Sequence, residues 1–165
     1  RFFSLSRREA DIAITVERPT EGRLVAAKLV DYTLGLYASR AYAERHGLPA
    51  TVAELKRHRL IGYVPDLLIS LSLDYGPEIV PDWQASFAVS SALGQMEAVR
   101  SGAGIGILHT FIARSDDGLV AVEVAPPIRR AYWLVYHETV RPLRHVQAVS
   151  AFIAAAVEAE RASFV

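Results

Sequence analysis

The sequence predicts an α/β fold, strands alternating with helices around mainly parallel sheet, and three observations carry this. Short apolar runs recur along the chain with helix-like stretches between them. The last segment places Val146, Val149, Phe152, Ile153, Ala156 and Val157 on one stripe at the helical period. Gly102-Ala103-Gly104 separates a helical pattern from an apolar strand pattern, which is how a helix ends and a strand begins.

The elements follow in order. Residues 10–15 read as a short buried strand. Residues 24–30 and 34–38 read as two strands separated by the polar Asp31-Tyr32-Thr33. Ser39 is a helix N-cap and Gly47 its C-terminal stop, which predicts a helix over residues 40–46. Thr51 followed by Glu54 has the spacing of a capping box and predicts a second short helix from Val52 to Arg57. Residues 59–64 read as a strand, 65–81 as irregular, and 86–89 as a strand. Ser91 then caps a helix over 92–101 with Leu93, Met96 and Val99 on one face. Strands are expected at 105–108, 119–124 and 131–136, with a helical turn at 110–115 and a turn at Asp116-Asp117-Gly118. The terminal helix should span residues 143–163. No internal repeat or low-complexity segment is visible.

Composition narrows the function. The 165 residues suit one domain or two small lobes, long enough to bury about two thirds of the unfolded surface without staples. Hydrophobic residues at 52% with 22% charged describe a globular chain. Lys+Arg and Asp+Glu are 18 each, so no broad basic face is available to grip nucleic acid. The absence of cysteine excludes disulfides, thiolate metal sites and cysteine nucleophiles. No apolar run approaches the ~18 residues of a membrane span. The opening Arg1-Phe2-Phe3-Ser4 has neither a methionine nor a signal-peptide pattern, and reads as a cut inside a longer protein.

Few residues invite chemistry. The Gly102, Gly104, Gly106 run follows a helix and precedes a strand, the reverse of a nucleotide-binding loop, and so reads as a helix end with close strand packing. His46 and His58 fall at helix ends, where solvation and the helix dipole account for them. His109 stands at the carboxyl end of a buried strand, where open α/β sheets bind ligands. Two readings fit it, a ligand contact and a histidine satisfied by a backbone carbonyl. Ser90 and Ser91, at a strand-to-helix junction, fit both simple capping and an anion contact at the first turn. Thr15 ends the first strand and is a further ligand candidate, as is Tyr63 at the end of the strand over 59–64. For Tyr63 the alternative is edge packing with its hydroxyl in water. Glu9/Asp11 and Asp116/Asp117 read as surface and turn carboxylates. No metal set, nucleophile–base pair or cofactor motif is present, so no cofactor and no enzyme activity are expected.

Four segments together resemble the effector-binding domain of LysR-type transcriptional regulators. They are Ser6-Arg7-Arg8-Glu9-Ala10-Asp11-Ile12-Ala13-Ile14, Tyr37-Ala38-Ser39-Arg40-Ala41-Tyr42 with Gly47-Leu48-Pro49, Glu54-Leu55-Lys56-Arg57-His58-Arg59-Leu60-Ile61-Gly62, and Val99-Arg100-Ser101-Gly102-Ala103-Gly104-Ile105-Gly106-Ile107-Leu108. The resemblance runs from residue 5 to about 157. It implies a two-lobed, type 2 periplasmic-binding-protein-like fold with a ligand cleft between the lobes and an incomplete first lobe. Residues 1–165 would form one effector-binding domain, with lobe one at 1–33 and 137–165 and lobe two at 34–136. By position, Thr15, Ser90, Ser91 and His109 would face the cleft, although relatives often carry proline where His109 stands.

The function implied is small-molecule effector sensing and dimerisation within a bacterial, cytoplasmic regulator. DNA would be reached only through a winged helix-turn-helix domain missing from this chain, and no membrane is involved. The alternative is a free-standing solute-binding protein of the same fold. A homodimer is expected on two further grounds. A mean hydropathy of +0.21 is high for a chain with 22% charge, and an incomplete first lobe would leave sheet edges and apolar surface open. The expected two-fold interface is at least ~1,000 Å², with the terminal helix or the crossover strands contributing.

Overall fold

The structure is a computed structural model that describes residues 10–68 and 70–164. The first four residues of the first resembling segment, Ser6 to Glu9, therefore lie outside the described residues. The chain divides into two compact units, one of residues 1–32 and 130–165, the other of residues 33–129.

The first unit is built on antiparallel pairing. Strand β1 (Ile12–Thr15) pairs with β7 (Ile128–His137), Ile12 opposite Tyr136 and Thr15 opposite Trp133. β7 is in turn neighbour to β2 (Leu24–Ser39). Tyr32 and Tyr132 stack at 4.2 Å between ring centroids, and Val30, Leu134, Val135 and Val146 are buried. β1 is less buried than its composition suggests, with Ile14 54% exposed, because it lies at the end of the strand order.

The long β2 corrects the expectation of two strands. From Val30 to Leu36 burial alternates residue by residue: Val30, Tyr32, Leu34 and Leu36 are buried, Asp31 exposed, Thr33 and Gly35 half-buried. Asp31-Tyr32-Thr33 is a stretch of the same period-two ladder, with the phenol on the buried face. β2 runs from the first unit into the second. There residues 34–37 pair antiparallel with β5 (Gly106–His109), and residues 37–39 with β6 (Leu119–Ala121). β3 (Leu60–Gly62) and β4 (Ala85–Ala88) pair in parallel. The expected mainly parallel sheet is thus corrected. Among the described residues β1–β7, β2–β5 and β2–β6 pair antiparallel, and β3–β4 pairs in parallel.

Capping chemistry sets the helices. The Ser39 hydroxyl accepts the Tyr42 N–H at the start of α1 (Arg40–His46), and Gly47 closes it at φ +70°. The Thr51–Glu54 box does not form. Val52–Arg57 is a 3-10 helix without a side-chain cap, and the Glu54 carboxylate accepts the Ala50 N–H at 2.8 Å instead. The tighter turn moves Glu54 away from the Thr51 N–H. Residues 65–81 carry two 3-10 turns, Pro65–Leu67 and Leu71–Leu73, and a helical turn α2 (Gly76–Ile79). Helix α3 (Ala92–Arg100) starts where Ser91 predicts, the hydroxyl accepting the Gly94 N–H at 3.0 Å. Its buried face is Gln95, Met96, Ala98 and Val99, whereas Leu93, a member of the expected stripe, is 71% exposed.

The second unit's core gathers Tyr37, Ile61, Met96, Val99, Leu108, Ala113 and Leu119, with Ala103 and Ile112 against it. Ala113 and Ile112 belong to the short helix α4 (Thr110–Ala113). The α3-to-β5 link packs hard onto β3. The Ile105 N–H donates to the Arg59 carbonyl at 2.8 Å, and Ile61 N–H donates to the Ile105 carbonyl at 2.9 Å. Gly102 takes φ +80°. Gly104 leaves no room for a side chain, since a Cβ there would lie 2.3 Å from the Arg59 carbonyl oxygen. At the rim, Arg100 joins Asp116 at 2.7 Å, and the Asp116 carboxylate also accepts the Gly118 N–H.

The terminal helix α5 (Arg144–Ala159) belongs to the first unit and buries only Val146. Phe152 is 74% exposed and Val149 is also exposed, so its apolar stripe is largely uncovered among the described residues.

Replacing Gly104 with alanine should lower the urea midpoint by the equivalent of about 1–3 kcal/mol, the usual cost of forcing atoms into a filled core. Equilibrium urea unfolding followed by circular dichroism measures it. Gly47→Ala, with open space around its Cβ but a positive φ, should cost less, about 1 kcal/mol.

Candidate functional site

β5 ends at His109, and α3 runs beside it, the two elements locked by the glycine link between them. Their adjacent ends, with the segments after β3 and around Tyr75, frame a recess in the second unit. It is shallow, with a free volume of about 20 Å³, room for about one water molecule. Its walls are apolar: Leu34 from β2, Leu93 and Met96 from α3, Ile107 from β5 and Ile112 from α4. Three polar residue types enter this apolar setting, in the form of Tyr63 and Tyr75, Gln95, and His109.

Burial acts on each of these groups. The His109 imidazole is held below its ordinary pKa by desolvation, so it is neutral at pH 7. Its ring meets Phe111 edge-on at 5.6 Å. The Tyr63 phenol is pushed up by burial and then by the neighbouring Tyr75, so it keeps its proton. Among the described residues, no Lys, Arg, Asp or Glu lines this recess. The recess therefore offers neutral hydrogen-bonding groups within an apolar and aromatic shell.

The five residues singled out from the sequence fall in three places. Tyr63 and His109 both line the recess. Tyr63 stands just beyond β3, which ends at Gly62 rather than at residue 64. Ser91 is spent on the helix cap, and Ser90 is exposed; neither lines the recess, although Ala92 and Leu93, the next two residues, do. Thr15 ends β1 in the first unit, where its hydroxyl donates to the Glu17 carbonyl at 2.6 Å. Sequence reasoning missed Tyr75 and Gln95. Tyr75 lies in the stretch read as irregular. Gln95 sits on α3 at the helical spacing from Val99, and that spacing from a core position was the signal that could have found it.

The remaining histidines have other employment. His58 is half-buried rather than solvated. The Tyr42 hydroxyl accepts the Arg59 N–H at 3.2 Å and lies 3.1 Å from His58 Nδ1, to which it is free to donate. Burial first, and then the positive charge of His46, lower the His58 pKa against the opposing pull of Glu54. His145 pairs with Asp11 at 3.5 Å. Among the described residues no three His, Asp or Glu side chains converge as a metal site would require, and no helix is long and apolar enough to cross a membrane.

Comparison with known proteins gives a consistent picture. Residues 3–158 match the family described as the LysR substrate binding domain. No curated protein matches the sequence. Among solved structures, the regulatory domain of CrgA, a LysR-type transcriptional regulator from Neisseria meningitidis, aligns at a TM-score of 0.79 with 21% identity, over 93% of this chain and 78% of that one. The full-length virulence activator AphB of Vibrio cholerae aligns at 0.72 with 20% identity, over 94% and 55%. ArgP from Mycobacterium tuberculosis aligns at 0.67 with 18% identity, over 93% and 51%. The chain thus spans about half the length of such full-length regulators. At these identities the solved structures establish the fold, which is the type 2 periplasmic-binding-protein-like fold.

The lowered His109 pKa has a consequence for stability. The unfolded chain takes up the proton near pH ~6.5, whereas the folded chain resists it, so stability is full above that pH and falls as the pH drops below it. His109→Gln should flatten the fall in urea midpoint between pH ~6.5 and 5, while leaving the midpoint's pH dependence above 7 unchanged. A matched series of unfolding curves at half-unit pH steps measures it.

Proposed function

This chain belongs to the LysR substrate-binding domain family, and we propose that it is the effector-sensing and dimerisation domain of a bacterial LysR-type transcriptional regulator. The observation that carries the reading is the family match over residues 3–158, nearly the whole chain. The proposal takes the two compact units as the two lobes of the fold and the second-unit recess as an effector contact surface, with Tyr63 and His109 as its sequence-predicted members. Ser90 and Ser91 are proposed to border the effector at the start of α3 rather than to hold it, because the Ser91 hydroxyl already serves the Gly94 N–H.

The effector acts by preferring one of two arrangements of the regulator, and it shifts their balance only by the ratio of its affinities for them. DNA is contacted through a separate winged helix-turn-helix domain, in keeping with equal numbers of acidic and basic residues in this chain. The regulator is cytoplasmic in this reading, and the domain is a binding module without catalysis. Family membership favours it over a free-standing solute-binding protein. Dimerisation is proposed to draw on the uncovered face of α5. Phe152 alone is worth about 1.5–3 kcal/mol when such a side chain leaves water.

Two measurements test the proposal. In a thermal-shift screen of small organic metabolites, an effector at a hundred times its Kd should stabilise the domain by about 2.7 kcal/mol, or about 5–10 °C. A screen without any stabilising compound would count against effector sensing. Light scattering across a dilution series should give twice the 18.1 kDa chain mass at high micromolar concentration. Phe152→Glu should return the chain to 18.1 kDa. A wild type that stays at 18.1 kDa throughout would remove dimerisation from the reading.

A further inference from the structure

Arg57 and Arg59 are two cations that the fold leaves unused. Arg23, Arg100 and Arg161 each meet a carboxylate, whereas among the described residues neither the Arg57 nor the Arg59 side chain has an ion pair or a hydrogen bond. Both line a polar pocket of the second unit whose free volume is about 390 Å³, against about 20 Å³ for the recess beside His109. Small-molecule sites commonly have about 300–1,000 Å³. The pocket and the recess share no described lining residue.

One stretch of chain builds the pocket. α1 supplies Tyr42 and His46, whose ring centroids are 4.6 Å apart. The end of the 3-10 helix and the two residues after it supply Arg57, His58 and Arg59. Tyr42 is 2% exposed and anchors this corner, because its hydroxyl accepts the Arg59 N–H and lies 3.1 Å from His58 Nδ1. Leu48, 41% exposed, adds apolar surface. Glu54 also lines the pocket, but its carboxylate accepts the Ala50 N–H at 2.8 Å rather than an arginine. Two guanidiniums thus border a pocket of aromatic and apolar side chains with their donors unspent. Each is a rigid fork of N–H groups that matches a carboxylate or a phosphate.

We propose that this pocket is a ligand site separate from the recess and that it takes a small organic anion, with the carboxylate or phosphate group held by Arg57 and Arg59 and a flat or apolar body against the Tyr42–His46 pair and Leu48. The site goes beyond the function proposed above and does not depend on it. The arginines set the sign of the ligand's charge, since the fold gives them no carboxylate. The rings and Leu48 set its body, since apolar surface there is otherwise left to water. His46 and His58 add positive charge when protonated, and a bound anion favours that form.

The test uses benzoate and phenylphosphonate as anions with a ring, benzamide as an uncharged counterpart, and acetate as an anion without the ring. Each is titrated at constant ionic strength into the 13C-labelled chain. The ring signals of His46, His58 and His109 are followed by NMR, each identified by its loss in His46→Gln, His58→Gln or His109→Gln. Benzoate or phenylphosphonate should move the His46 and His58 signals saturably, with a Kd on the order of 1 mM or tighter, and leave His109 in place. The tighter of the two names the anionic group the site prefers. Benzamide should bind at least about tenfold more weakly than benzoate for want of the charge, and acetate about tenfold more weakly for want of the ring. With benzoate at saturation, His58 should titrate at a higher pH than in the free chain, because the anion offsets the burial and the His46 charge that hold its pKa down. The double variant Arg57→Gln with Arg59→Gln should melt at the wild-type temperature, since both side chains are free, and should lose at least about tenfold in affinity for either ringed anion.

Equal binding of benzoate and benzamide would overturn the proposal, as would full affinity in the double variant. So would shifts at His109 without shifts at His46 and His58, or no saturable shift from either ringed anion. Effector sensing is judged apart from this site: a compound from the thermal-shift screen that stabilises the double variant as well as the wild type acts elsewhere in the domain.

Discussion

The Gly104 backbone meets the Arg59 carbonyl so closely that a methyl group would lie well inside van der Waals contact with the oxygen, and much of the second unit follows from that approach. It lets Ile105 exchange hydrogen bonds with Arg59 and Ile61, which ties β3 to the start of β5. Gly102, in the left-handed region, turns the chain out of α3 just before it. Helix and strand are then held at a separation that lets Val99 pack where Gly106 has no side chain, its Cγ2 2.7 Å from the position a Cβ would take. With α3 fixed against β5, Gln95 and His109 are brought to one recess although they are 14 positions apart in sequence. The glycines carry no chemistry of their own. They are the condition for the site's geometry.

Electrostatics in the recess is governed by desolvation rather than by ion pairs. Lys56 with Asp82, Arg100 with Asp116 and Glu158 with Arg161 pair at the surface, and each is open enough to water that it contributes modestly. Inside the recess the groups that titrate are pushed toward their neutral forms, His109 downward and Tyr63 upward. Specificity there comes from matching single hydrogen bonds within an apolar shell, a setting in which an unmatched donor is penalised more than a matched one is rewarded.

Much of the architecture was legible because it rests on local chemistry. Ser39, Gly47 and Ser91 start and stop helices through their own hydrogen bonds and backbone freedom, and the structure has them in those roles. Where the reading failed, a local pattern competed with a distant partner. Asp31-Tyr32-Thr33 looked like a break because two of its three residues are polar, yet Tyr32 stacks on Tyr132, a hundred positions away, and carries β2 through. The Thr51–Glu54 box had the right letters, but the 3-10 geometry gave the carboxylate to Ala50. Leu93 belonged to the expected stripe, but the packing of α3 turned Gln95 inward instead.

By itself the sequence determined the α/β class, the helix boundaries set by caps, the glycine link and the position of His109 at a strand's end, since each depends on neighbours a few residues away. The family resemblance was legible for the same reason, being carried by contiguous motifs. Only the tertiary structure decided that the sheet pairing is largely antiparallel and that β2 is unbroken. It also decided that Tyr63, Tyr75, Gln95 and His109 share one recess while Ser90, Ser91 and Thr15 lie outside its walls. The physical reason is that burial is a property of the whole packing. Whether a tyrosine, an amide or an imidazole loses its water depends on side chains brought in from distant parts of the chain, and that loss of water is what turns ordinary residues into a site.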